Sequence, residues 1–211
     1  MGDLDPVKSG LVASMNRPGG NITGMTNLSS ALSPKRVELL HETLPNVSVL
    51  GMLVNPDNPE AETETRDAQA AARALGLEFQ ILNARTGQEI DTAFAAFVER
   101  RIGALIVGAD AAFTSGRGQF IALASRHRLP AIYSPRDFPL AGGLMSYGAN
   151  LTELYRLVGV YTGRILAGEK PADLPILQPT KFDLVINLFT AKALGLDIPP
   201  KVLALADEVI E

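Results

Sequence analysis

The sequence predicts an α/β fold built on a parallel sheet with helices on both faces, on three observations. The segment 47–54 (VSVLGMLV) is apolar on both faces, as a strand covered by helices on each side must be. Between residues 47 and 133, strand-length apolar runs alternate with segments of helical spacing, the pattern of repeated βαβ units with right-handed crossovers. The strands end in turn formers or a lone carboxylate: Asn55-Pro56-Asp57-Asn58-Pro59, then Asp110, then Ser134-Pro135-Arg136-Asp137. In open parallel sheets, ligands bind at such carboxyl ends.

Taken in order, 9–15 reads as a short helix-like stretch, 16–21 as a dense turn and 22–26 as a short strand. Ser33 and Pro34 offer a cap and a first helical position. Val37, Leu40 and Leu44 mark one face of the helix that follows, and Pro45 ends it. After the central strand, Asp57 or Asn58 is placed to cap a helix over 59–75, with Glu60, Glu62 and Glu64 near its positive end. Its small face is Ala61, Ala68, Ala71, Ala72 and Leu75, and Gly76 stops it. Leu77, Phe79 and Ile81 alternate as a strand. Ile90, Phe94, Phe97 and Val98 keep helical spacing. Residues 104–109 (ALIVGA) form a buried strand, Phe113, Phe120, Ile121 and Ala124 a helix, and 130–133 a fourth strand. Beyond Gly142-Gly143 come a short strand at 144–147, a long helix over 151–166, an extended connection at 171–179, a strand at 182–188, one helical turn closed by Gly195, and a short terminal helix after Pro199-Pro200.

Composition narrows the function. The chain has 211 residues, a net charge of −4 and no cysteine, which removes disulfide and thiolate chemistry and any electrostatic reason to expect nucleic acid. No apolar run reaches membrane-spanning length, and residues 1–6 carry no basic, apolar leader pattern. There is no Walker loop and no G-x-S-x-G. The two histidines, His41 and His127, have no neighbouring ligand pattern, so neither a metal nor another cofactor is expected, and no enzyme.

The three strand ends offer Asn55, Asp57 and Asn58, then Asp110, Phe113 and Thr114, then Tyr133, Arg136 and Asp137. Carboxylates take an ammonium, a guanidinium takes a carboxylate and aromatic faces cover an apolar part, so such a set suits a zwitterion. Singly, Asn55 and Asn58 also read as turn formers, Asp57 as a cap, Arg136 as a solvated loop residue and the two tyrosines Tyr133 and Tyr147 as packing. Asp110 stands out, because a carboxylate after a wholly apolar strand has little local reason to be there.

Several stretches together resemble the solute-binding proteins of an ABC importer family with the type I periplasmic-binding fold. They are 5–12 (DPVKSGLV), 17–24 (RPGGNITG), 126–131 (RHRLPA), 141–148 (AGGLMSYG), 168–175 (GEKPADLP), 179–182 (PTKF) and Asn187-Leu188. The resemblance implies a two-lobed binder of a small amino-acid-like solute, aromatic for some members, working with importer membrane subunits. For the full-length protein it implies a periplasmic location or an extracytoplasmic lipoprotein. It divides the chain into 1–34 as the remnant of an amino-terminal lobe with its crossover, 35–145 as the carboxy-terminal lobe, 146–175 as a helix packing on the amino-terminal lobe, and 176–211 as a return segment with a terminal helix. By position Thr23 and Asn27 would line the cleft from the first lobe. Asn55, Asp57, Asp110, Phe113, Thr114, Arg136 and Asp137 would line it from the second. The alternative of the same fold is the ligand-sensing domain of a sugar-repressor-like regulator. Because most of the first lobe has no counterpart here, the apolar face of Leu151, Leu154, Tyr155, Val158 and Ile165 is expected to pair two copies as a homodimer.

Overall fold

The computed structural model describes residues 5–27 and 29–211. It falls into two units: Met1–Leu28 with Ala149–Phe182, and Ser29–Gly148 with Asp183–Glu211. The second unit carries a seven-stranded sheet in the order β2-β1-β3-β4-β5-β6-β7. The strands are β1 (Val49–Val54), β2 (Glu78–Asn83), β3 (Ala104–Val107), β4 (Ala131–Tyr133), β5 (Met145–Ala149), β6 (Phe182–Asn187) and β7 (Glu208–Ile210). The pairs β1–β2, β1–β3, β3–β4, β4–β5 and β6–β7 are parallel. Asn187 N–H donates to the Leu144 carbonyl and Asn150 N–H to the Lys181 carbonyl, so β5 and β6 run in opposite directions. The predicted parallel sheet is therefore present, with one antiparallel pair within it.

Helix α1 (Ser33–Thr43) precedes β1, helices α2 (Ala61–Ala74), α3 (Gly87–Glu99), α4 (Ala111–Ser115), α5 (Arg117–Arg126) and α6 (Asp137–Leu140) connect the strands, and α8 (Leu188–Leu194) and α9 (Pro200–Leu203) lead to β7. A strand's side chains alternate between faces, and both faces of β1 are buried. Leu50, Met52 and Val54 join Val37, Leu40, Ala68 and Ala72 on one side. Leu53 joins Phe94, Phe97, Phe113, Phe120 and Phe138 on the other. Gly51 faces that second cluster, where a Cβ would lie 2.8 Å from the Phe97 ring. The small residue is what lets α3 lie close on the sheet.

Three local expectations are corrected. Ser33 does not cap α1. A 3₁₀ turn (Ser29–Leu32) precedes the helix, and the Ser33 hydroxyl donates to Glu64 Oε1 at 2.6 Å. Neither Asp57 nor Asn58 caps α2, which starts at Ala61. The Asn55 and Asn58 side-chain oxygens accept instead from the N–H groups of Asp57 and Glu60, spending the turn on two successive Asx turns. The segment 9–15, expected to be helix-like, lies instead in a run of turns and bends that begins at residue 6. Asp5 there accepts from the N–H groups of Val7 and Lys8. β7 and α6 were not anticipated.

The first unit consists of those turns, an isolated parallel bridge between Met25 and Leu177, and α7 (Leu151–Leu166), capped by Asn150 accepting from Glu153 N–H. The side of α7 that is buried holds Leu154 and Tyr161, and the Tyr161 hydroxyl donates to the Pro175 carbonyl at 2.8 Å. Tyr155, expected on the same side, is 61% exposed.

A buried ion pair sits inside the second unit. Arg36 in α1 is 0% exposed and Glu64 in α2 is 2% exposed, with Arg36 Nη1 at 3.6 Å from Glu64 Oε1. From sequence, Glu64 is placed only near the positive end of the helix. Its place in the stripe Ala61, Glu64, Ala68, Ala72 turns it inward, where it accepts from Ala109 N–H at 3.1 Å.

Candidate functional site

The chain leaves β1 for β2 on one side and returns to β3 on the other. In open sheets of this kind ligands bind where the connections part, here the carboxyl ends of β1 and β3. The residues following those two strands meet there. Asn55 Nδ2 donates to Asp110 Oδ2 at 3.2 Å, and Asn58 Nδ2 donates to the Ala109 carbonyl at 2.7 Å. Asp110 Oδ1 accepts from the N–H groups of Ala112 (2.8 Å) and Phe113 (3.1 Å), capping α4. The Asp110 carboxylate thus has a local task that the sequence did not reveal. One oxygen caps a helix and the other is shared with an amide at the switch point.

The other candidates are placed as follows. The Thr114 hydroxyl donates to the Asp110 carbonyl at 2.9 Å. The Phe113 ring is 2% exposed and packs 4.9 Å from the Phe120 ring, so it backs the site from the core. Asp57 pairs with Arg85 at 3.0 Å, and Arg136 with Glu208 at 2.6 Å. Asp137 opens α6. In the first unit, Thr23 Oγ1 donates to the Leu174 carbonyl at 2.6 Å, and the buried side-chain oxygen of Asn27 has no hydrogen-bond partner among the described residues. The structure therefore joins Asn55, Asp110, Phe113 and Thr114 directly, and it gives Asp57 and Arg136 partners from outside the set. Tyr133 stacks on Phe138 at 4.1 Å. Its hydroxyl has no hydrogen-bond partner among the described residues, and burial raises its pKa well above the ordinary phenol range.

Arg36 and Glu64 were missed although they hold this edge in place. Their signal was in the spacing: Glu64 is three residues after Ala61 and four before Ala68, a carboxylate within an apolar stripe. Among the described residues, no group of three His, Asp or Glu side chains is arranged to hold a metal ion. A pocket of about 240 Å³ lies beside β4, between residues of α5 and α8, lined by Leu129, Ala131, Tyr133, Gly143, Phe189 and Leu194 among others. Tyr133 lines it, whereas Asn55, Asp110, Phe113 and Thr114 do not.

Comparison with known proteins agrees with the fold. A family model described as ABC transporter substrate binding protein matches residues 1–210. A "Tyrosine-binding protein" of Clostridioides difficile is 26% identical over 192 residues, 91% of this chain and 55% of the relative. The chain thus spans about half the length of that curated relative. A solved ABC domain in complex with L-Trp from Streptococcus pneumonia is 28% identical with a TM-score of 0.86, over 98% of this chain and 69% of that one. A conserved domain protein from Vibrio cholerae is also 28% identical, with a TM-score of 0.87, over 97% and 68%.

The cap can be tested without a ligand. Replacing Asp110 by Ala should lower unfolding stability by about 1 kcal/mol, the ordinary value of a lost cap, while Asp110→Asn keeps the accepting oxygen and most of that stability. Urea denaturation measures both. An Asp110→Ala midpoint equal to wild type would contradict the capping role.

Proposed function

The chain belongs to the ABC transporter substrate-binding protein family, and on that premise we propose that it serves an ABC importer by binding an amino-acid solute without turning it over. The observation that carries this reading is the Asn55–Asp110 pair at the switch point. A carboxylate with one oxygen fixed by a helix cap and the other held by an amide is preorganised to accept from a ligand ammonium. Arg136 suits the ligand carboxylate. Its bond to Glu208 joins two side chains that are each more than a third exposed, and such pairs exchange partners at small cost. Asp57 and Asp137 flank these groups at the same edge, with Thr114 bracing the capped turn. The relatives named for tyrosine or solved with L-Trp favour an aromatic amino acid. An extracytoplasmic location and importer membrane subunits as partners belong to the same reading.

Calorimetric titration with L-tryptophan and L-tyrosine tests it. Wild type should bind at least one of them. Asp110→Asn should weaken binding by about 1.5–3 kcal/mol, the value of a hydrogen bond to a charged group. Unchanged affinity in that variant would remove Asp110 from the site, and no heat from either amino acid with wild type would contradict the reading.

A second copy of the chain completes the proposed partners. Tyr155, Gly159, Thr162 and Leu166 follow one side of α7. Among the described residues, no atom from outside the local helix backbone lies within 4 Å of where a Gly159 Cβ would be, and Leu166 is 84% exposed. Ile22 is also exposed, at 42%. An apolar face open over a glycine accepts another helix closely. Light scattering should give a dimer mass that Leu166→Glu lowers to a monomer. A monomer mass for wild type at high concentration would refute the pairing.

A further inference from the structure

The Arg36–Glu64 pair lies outside the candidate site yet touches what positions it. The chain passes between the units at 28/29, 148/149 and 182/183, and Arg36 reaches the first two of these crossings. Its Nη2 donates to the Ser29 carbonyl at 2.9 Å and to the Ser29 hydroxyl at 3.1 Å. Its Nε donates to the Tyr147 carbonyl at 2.9 Å. Nη2 also donates to the Ser134 hydroxyl at 2.9 Å, and the Ser29 and Ser134 hydroxyls bond each other. Next to Tyr147, Gly148 lies so close to Ser134 that a Cβ would collide with the Ser134 carbonyl oxygen. Through Glu64 the same cation is tied to Ala109 N–H, one residue before Asp110.

We infer that Arg36 is a positioning residue of the binding edge: one buried guanidinium fixes the departure points of two chain crossings against the strand end that carries Asp110. The binding edge and these departure points then move as one rigid piece. This functional consequence rests on the solute-binding reading above. The residue type follows from the geometry. A planar guanidinium spreads five donors over acceptors lying in several directions, whereas an ammonium satisfies Glu64 from one point and leaves the crossings ungripped.

Amide hydrogen exchange on the 211-residue chain, with no ligand present, tests the anchor. Arg36→Lys should raise exchange at least tenfold over 29–34 and 145–149 and at Ala109, while 50–54 and 105–107 stay within twofold of wild type. A uniform rise would show a merely structural ion pair and overturn the inference, as would no change. Gly148→Ala disturbs the second crossing without touching a charge, and it decides the question if Arg36→Lys fails to fold. Its increase should stay within 134–136 and 145–149, and a rise spread over the sheet would overturn the anchor. Calorimetry with L-tryptophan then separates the two claims. If wild type binds, Arg36→Lys should bind at least fivefold more weakly although Asn55 and Asp110 are intact, and equal affinity would overturn the positioning role. Absence of wild-type binding counts against the solute reading, and the exchange pattern alone then judges the anchor.

Discussion

The second unit depends on a charge that has been taken out of water. Arg36 and Glu64 are both buried, and burying ions costs several kcal/mol each unless hydrogen bonds replace the lost water. Ser29, Ser33, Ser134 and the Tyr147 carbonyl serve the cation, while Ser33 and Ala109 N–H serve the carboxylate. Removing either ion leaves the other uncompensated, typically at about 3–5 kcal/mol. The pair therefore gives the helices α1 and α2 one register over the sheet, where apolar packing alone would tolerate slippage.

From that register the site follows. Glu64 fixes the backbone just before Asp110. Asn58 holds the Ala109 carbonyl from the other side, and Asn55 holds the Asp110 carboxylate. Gly108 belongs to the same arrangement, since a Cβ there would lie 3.1 Å from the Leu53 carbonyl and 3.2 Å from Glu64. The polar groups at the switch point are thus held by neighbours that are themselves held, which is how a binding edge is kept preorganised.

The sheet was legible because its strands carry their own evidence. β1, β3 and β4 are apolar throughout and end in turn formers, and the helices between them keep their spacing. β7 was not legible. It has three residues and opens on Glu208, and it forms because β6 offers it a partner. In the site, Asn55 and Asp110 could be read from their place after apolar strands. The cap on α4 could not, because Ala111 to Ser115 is too short to show a helical period. Arg36 and Glu64 left only a faint trace in helical spacing, since their partners lie as far as 111 and 45 positions away in the chain. Pairings at that separation are tertiary facts.

The central claim is that the carboxyl edge of β1 and β3 receives the solute. Two-dimensional amide NMR of the labelled chain, titrated with L-tryptophan, tests this most directly. Shifts should concentrate at 55–60, 109–115 and 134–138, with the amides of α3 and those around Phe189 and Leu194 unmoved. Shifts centred instead on the pocket beside Phe189, or none at millimolar tryptophan, would contradict it.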